Sequence, residues 1–404
     1  MRLTMKEKKK AAAILAPRYQ KARKKDKGKM LDEFIALTGY RRCYASHVLN
    51  THGKRRRVGA NRFIEGDIRK KALRGRRKFY GEDVLKPLIT IWYLMDCICG
   101  KRLAPIMDEL VRKLSRFREI TVDETVRKKL AMISAATIDR LVAPERKRYE
   151  LKGRSRTKPG TLLKHQIPIR TFSDWDEKRP GFVEIDLVGH EGGNAMGEYA
   201  QTLTVTDVCT GWTETQAVKN KAQKWVFEAL KDIRRRMPFP LLGIDSDNGG
   251  EFINDHLLRY CQQEQITFTR TRSYRKNDNC FVEQKNYSVV RRAVGYARYD
   301  TEEELRILNE LYPYLSLYTN FLQPTMKLKE KTRIGSRIIK KYDKPITPYR
   351  RVLASQYVSA QDKDNLKKQY AKLNPAQLKR QITRLQQKLL RMASSKSRRI
   401  NDAA

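Results

Sequence analysis

A change of period at residue 181 constrains this chain more than any other feature. Before it, apolar residues recur mostly at helical spacing; after it, short β-forming runs alternate with amphipathic helices. Phe182 to Val188 is an apolar run broken by acids, and Tyr199 to Val208 alternates with threonine-rich β-formers. Thr213 to Val218 pairs with the latter across the Thr210-Gly211 turn, which makes a three-strand meander. A helix from Ala222 to Met237, a buried strand from Leu241 to Asp245, a helix from Ile253 to Gln263 and a strand from Ile266 to Thr271 follow. Strands interleaved with helices behind a meander specify a mixed α/β sheet with helices over its faces.

Three acids stand at the ends of such elements. Asp186 lies in the first strand among apolar neighbours, where a carboxylate is costly unless it is paired, hydrogen-bonded or metal-bound. Asp247 ends the fourth strand, followed by Asn248-Gly249-Gly250-Glu251-Phe252, whose glycines permit a tight exit. Glu283 opens a helix, where the dipole favours an acid in any case, and 35 residues separate it from Asp247. Taken singly, each acid reads as structural. Converged by the fold, the three would repel one another without a cation and would suit Mg²⁺ or Mn²⁺, which prefer carboxylate oxygens.

Charge divides the chain. Its formal net charge of +42 points to a polyanionic partner, yet residues 1–78 carry +20 while residues 181–283 carry −3. Grip on a nucleic acid is therefore expected from the flanks and chemistry from the middle. No apolar run reaches the roughly 18 residues needed to span a bilayer, and the basic start is not followed by a signal-type stretch, so a cytoplasmic protein is expected. Six scattered cysteines read as reduced thiols, with Cys97-Ile98-Cys99 expected in a helical core, and the histidines show no zinc-module spacing.

The flanks read as helical. Lys6 to Lys29 is a basic helix or arm, expected to touch nucleic acid. The segments Leu31 to Leu37 and Arg41 to Asn50, around Thr38-Gly39, have the form of a helix-turn-helix. Arg41, Arg42 and Tyr44, and the run Lys54, Arg55, Arg56 and Arg57, are its candidate DNA contacts. A second helical block from Val84 to Leu141 ends in Ser134, an N-cap, and a short helix presenting Thr137 and Arg140. It is either a second DNA-reading unit or a bundle that orients the first. The expected division is residues 1–78 as arm and first module, 79–150 as second module, and 151–180 as an extended linker. Residues 181–300 form the core, 301–355 a helix with a small basic β-rich segment, and 356–404 a basic helical tail. Leu366, Leu373, Leu378, Ile382, Leu385 and Leu389 give that tail one packing seam, for a partner, for itself, or in support of a DNA-binding arm.

Asp186, the Asp247-Asn248-Gly249 turn with Glu251-Phe252 behind it, and Glu283 resemble the D,D(35)E signature of retroviral integrases and bacterial insertion-sequence transposases. The resemblance covers about residues 181–296. The His/Cys zinc domain of the viral branch is absent, so the bacterial branch is the nearer match. The resemblance implies a ribonuclease-H-like core of three strands, helix, strand, helix, strand, helix. It implies two Mg²⁺ or Mn²⁺ ions per site, one shared by Asp186 and Asp247 and the other by Asp186 and Glu283. The implied reaction is cleavage at a mobile element's terminal inverted repeat to expose a 3′-OH, then attack of that hydroxyl on target DNA. Two ends joined to one target imply at least a dimer. A nuclease of the same fold without strand transfer, and a non-catalytic DNA-binding protein, are the alternatives. The need for a helper ATPase stays open.

Other polar residues have plainer expectations. Asp245 falls on the strand face of Asp247 and could reach the metals, but the Asn-Gly turn selects Asp247. Asp207 reads as a turn residue and His190 as an exposed loop histidine, with contact to DNA or water near the site as its alternative. Lys285, Asn286, Arg291 and Arg292 are candidate contacts to a DNA end, against the alternative of a solvated cationic face. The loop Ser273 to Asn279 is polar and long enough to act as a flap, and Arg234-Arg235-Arg236 suits the end of a helix dipole.

Overall fold

The computed structural model describes residues 3–59, 62–65, 79–149, 169–170, 178–247, 249, 251–252, 255–271, 280–334 and 337–402. The chain forms two compact units, Met1–Phe79 and Tyr80–Ala404. The expected flap and most of the expected linker lie outside the described residues. Among the described residues, no helix is long and apolar enough to cross a membrane.

The first unit is built from three helices, α1 (Met5–Lys21), α2 (Lys24–Thr38) and α3 (Arg42–Thr51), followed by a hairpin of β1 (Arg55–Gly59) and β2 (Arg62–Glu65). Thr4 and Glu7 cap α1 reciprocally, and α2 stops at Gly39, whose φ of +67° suits a residue without a Cβ. The basic N-terminal stretch is not a free arm. Ala12, Ala16 and Tyr19 of α1 pack with Leu31, Phe34, Ala45, Val48 and Leu49 in one core, because small residues one turn apart let the helices approach closely.

The second unit begins with α4 (Glu82–Leu94), α5 (Gly100–Leu103), α6 (Met107–Arg116), α7 (Glu124–Ala131) and α8 (Ala135–Tyr149). Cys97, Ile98 and Cys99 lie in the turn between α4 and α5 rather than inside a helix, and only Ile98 is buried. A six-stranded sheet follows: β3 (Ile169–Arg170), β4 (Phe182–Gly189), β5 (Gln201–Asp207), β6 (Thr213–Val218), β7 (Gly243–Ser246) and β8 (Thr267–Thr271), in the order β3-β8-β7-β4-β5-β6. The β4-β5-β6 meander is antiparallel, whereas β7 and β8 run parallel to β4, linked by α9 (Gln223–Arg236) and α10 (Asp255–Gln263). Beyond β8 lies α11 (Cys280–Lys285), so the observed element order is the one implied by the resemblance.

Alternation along the strands sorts side chains to two faces. Val183, Ile185, Leu203, Val205 and Ile244 pack under α9 and α10. Val188 and Ala217 join the other core, under a continuous run of helix comprising α11, a π-helical turn (Asn286–Arg291) and α12 (Arg292–Val294), and under α13 (Glu302–Leu317).

The chain then forms the β9 (Leu328–Ile334) and β10 (Arg337–Tyr342) hairpin, α14 (Pro348–Ala354), α15 (Ala360–Lys372) and α16 (Pro375–Asp402). The tail is no extended arm. Leu378, Ile382, Leu385 and Leu389 of α16 are at most 5% exposed and share one core with α4, α6, α7 and α13. Each such side chain stabilises the fold by about 1.5–3 kcal/mol. At its far end, Lys396 Nζ reaches Asp300 and the buried Glu304, both at 2.7 Å.

Candidate active site

The parallel register between β4 and β7 sets Glu184 beside Asp245 and Ile185 beside Ser246, so the next step along the two strands brings Asp186 beside Asp247. Period-two alternation then puts all four acids on the face toward α11, in two tiers. The sequence folds this way because Val183, Ile185 and Ile244, one residue out of phase, are claimed by the opposite core.

In the outer tier, Asp186 is half-buried. Its Oδ1 accepts from the Leu187 N–H at 2.8 Å and its Oδ2 from Asn286 Nδ2 at 2.6 Å. Burial, then the charge of Asp247, and more weakly that of Glu283, push its pKa up to about 8. Asp247 Oδ1 accepts from the Gly249 N–H at 2.9 Å, and burial, with Glu251 nearby, raises this carboxyl too. Glu283 is exposed in the first turn of α11. One turn on, Asn286 reaches the same carboxylate, which fixes the Glu283 side of the helix toward the strand acids.

The inner tier is fully buried. Glu184 Oε2 accepts from the Val282 N–H at 2.9 Å and its carboxyl is raised well above the usual range, chiefly by burial. Asp245 Oδ1 accepts from Thr269 Oγ1 at 2.5 Å. Asp245 is thus enclosed beneath Asp247 rather than beside it. Sequence reading left Glu184 out, although its place two residues before Asp186 on one strand was the signal that would have found it.

This donor set fits a divalent cation: half-buried carboxylates raised by burial and by neighbouring acids are stabilised when a cation arrives. Among the described residues, no three His, Cys, Asp or Glu side chains are gathered at metal-holding distance.

His190 is not an exposed loop residue. It is fully buried, its Nε2 lies 2.7 Å from Thr202 Oγ1, and that hydroxyl lies 2.5 Å from Tyr312 Oη. Its backbone pairs with Ala200 and Tyr299, extending the sheet past β4 where a loop was expected. Burial, with Arg291 near, lowers its pKa to about 3. Asp207 does hold the turn, taking Gly181 N–H at 2.8 Å and both the N–H and hydroxyl of Thr210 at 2.6 Å. Arg234 closes α9 against Tyr260 Oη at 2.6 Å and Glu264 at 2.9 Å.

The candidate DNA contacts fall in several places. Arg41, Arg42, Tyr44, Lys54 and Arg55 are exposed on the first unit, with Arg42 paired to Asp32; Arg56 and Arg57 continue on β1. Arg140 is exposed on α8 and donates to the half-buried Thr137 at 3.1 Å, while Ser134 caps that helix through Thr137 N–H at 3.3 Å. The four on the Glu283 helix do not make a solvated cationic face. Lys285 is buried, and burial lowers its pKa to about 8. Asn286 is bound to Asp186, and Arg291 donates to Gly189 O at 2.7 Å; Arg292 is exposed and donates to Asp96 O at 3.1 Å.

No protein-family model matches the chain. Among solved structures, the magnesium complex of the HTLV-2 integrase catalytic core is 14% identical, covering 36% of this chain and 91% of that one at a TM-score of 0.28. The BIV integrase catalytic core is 16% identical, covering 42% and 91% at 0.28. Likenesses this slight leave the fold to be read from the strand order and register above. A curated protein of Sinorhizobium fredii, uncharacterized protein y4rM, is 37% identical over 350 residues, which cover 87% of this chain and 96% of that one. Identity at that level along nearly the whole of both chains places this protein in the family of y4rM.

Proposed function

We propose that the chain is a DNA transposase of the D,D(35)E class, which cleaves the 3′ ends of a mobile element and transfers them into target DNA. The observation that carries this reading is the placement of Asp186 beside Asp247 on adjacent parallel strands, with the charge of Glu283 felt at Asp186. The carboxyl ends of parallel strands are where open α/β sheets bind ligands, and this pair stands there. Asp186, Asp247 and Glu283 would hold two Mg²⁺ or Mn²⁺ ions, which when bound supply Lewis acidity to an in-line displacement at phosphorus. Asn286 orients the Asp186 carboxylate, and Glu184 ties down the first turn of the Glu283 helix. The three-helix first unit and the α7–α8 pair, as helix-turn-helix modules, would read the terminal repeats. A homo-oligomer of at least two chains would join two ends.

The test is purified protein with Mg²⁺ or Mn²⁺ and a labelled duplex bearing the terminal repeat. Joined products that vanish in Asp247→Asn support the reading. Cleavage without joining would replace it with a nuclease, and binding alone with a non-catalytic DNA-binding protein.

A further inference from the structure

Behind the Glu283 helix lies a cavity of about 970 Å³, within the range of roughly 300–1,000 Å³ usual for ligand sites. Its lining is cationic: Arg102, Lys285, Arg292, Lys327 and Lys329, with Asp96 as the one acid among the described lining residues. Asp96 is already neutralised by Lys379. Arg102 donates to Pro324 O at 2.6 Å, Arg292 to Asp96 O at 3.1 Å and Lys327 to Cys209 O at 2.9 Å. Carbonyl oxygens satisfy donors but cancel no charge. Lys285 is the decisive residue: it is 7% exposed, it lines the cavity, and no described residue accepts from its Nζ. An ammonium that opens into a cavity with no acceptor among the described residues is left to water or to loss of its proton, and an anion is the partner that would satisfy it best.

The cavity also backs onto the acids. Phe281, Gln284, Lys285 and Ser288 line it from one side of the helix, while Asn286 faces Asp186 from the other. Thr206, also in the lining, pairs with Glu184 across the β4-β5 ladder, one pleat from Asp186 opposite Thr204. Val208 and Phe281 add apolar wall.

We propose that this cavity is a phosphate-binding site that takes up one nucleotide, its phosphate on Lys285 and Arg292 and its sugar and base against the apolar wall. The phosphate belongs either to a DNA strand led past the acids, which rests on the function proposed above, or to a free nucleotide, which does not.

The experiment is binding of a fluorescent single-stranded oligonucleotide and of a deoxynucleoside monophosphate to the full chain, compared across variants. Lys285→Met should weaken binding about tenfold. For the strand it should also cut the salt dependence by about one counterion. Arg292→Gln, at an exposed position, should act in the same direction, whereas Lys367→Met, on the exposed face of α15, should not. Melting curves guard against misfolding, since replacing a buried unpaired cation by an apolar isostere should leave the fold as stable or more so. A Lys285-dependent strand with an indifferent mononucleotide assigns the site to DNA, and the converse assigns it to a free nucleotide. Binding of both ligands unchanged in well-folded Lys285→Met and Arg292→Gln overturns the proposal. The joining assay on the parent separates the two readings: a catalytically inert parent that still binds through Lys285 would sink the transposase and leave the phosphate site standing.

Discussion

Glu184 Oε2 accepts the backbone N–H of Val282 at 2.9 Å, across 98 positions of sequence, and so ties the central strand to the residue immediately before Glu283. The bond satisfies one of the orphan donors at the start of α11. Glu184→Ala should therefore destabilise the second unit by about 1–3 kcal/mol through an unsatisfied buried N–H, and Glu184→Gln, which keeps an acceptor, by less. Urea unfolding measures both. In the joining assay, Ala should lower kcat more than it changes KM, with Gln recovering most of the rate; equal loss in the two would mean the bond does not position Glu283.

Asp186 and Asp247 repel one another when no cation is bound. Asp186→Asn should raise the stability of the metal-free protein by about 1 kcal/mol, a modest gain because Asp186 is only half-buried. The same change should remove the rise in melting temperature that Mn²⁺ gives the parent. A parent whose melting temperature ignores Mn²⁺ at millimolar concentration would speak against a metal site at these acids.

His190 gives a pH signature of definite sign. Its pKa of about 3 in the folded chain lies below the unfolded value near 6.5, so the native state binds fewer protons. Its contribution to stability is full above about pH 6.5 and falls away as pH drops toward 3, by on the order of 3–5 kcal/mol over the whole window. Urea midpoints between pH 7 and 4.5 should fall more steeply in the parent than in His190→Gln, whose amide can still bond Thr202. Parallel slopes would contradict the burial of a neutral imidazole.

The α16 seam predicts a structural rather than a DNA-binding phenotype. Ile382→Ala or Leu385→Ala should cost about 2–5 kcal/mol, as for buried aliphatic truncations. A tail acting as a free arm would instead keep its melting temperature and lose only DNA affinity. Calorimetry beside a binding titration distinguishes the two.

Much of the core was legible because local signals agreed with one another. Thr-rich alternation marked β5 and β6, and the apolar residues flanking Asp186 marked β4, since only a buried strand tolerates that pattern. Asp186 and Asp247 could be read for the same reason. His190 was missed because its burial depends on Tyr299 and Tyr312, more than 100 positions away, which no local pattern records. Lys285 reads locally as a contact to a DNA end or as part of a solvated face, because a lysine in a polar helix usually points outward. The residues that enclose it around the cavity, among them Arg102 and Lys327, stand far from it in sequence, and they bury it only once the tertiary fold is formed. The roles of α1 and α16 were obscured by their charge: each carries a single apolar seam under many lysines and arginines, so composition suggested arms where packing makes walls.

The sharing of one core by α4, α13 and α16 has a consequence for how the molecule is made. The ribosome must deliver residues beyond 375 before the helices that began near residue 82 find their last apolar partners. Until then the acid-bearing sheet is supported on one side by an unfinished wall. A polypeptide stopped short of α16 would present that gap to chaperones and proteases, so incomplete copies should be cleared rather than accumulate as active fragments.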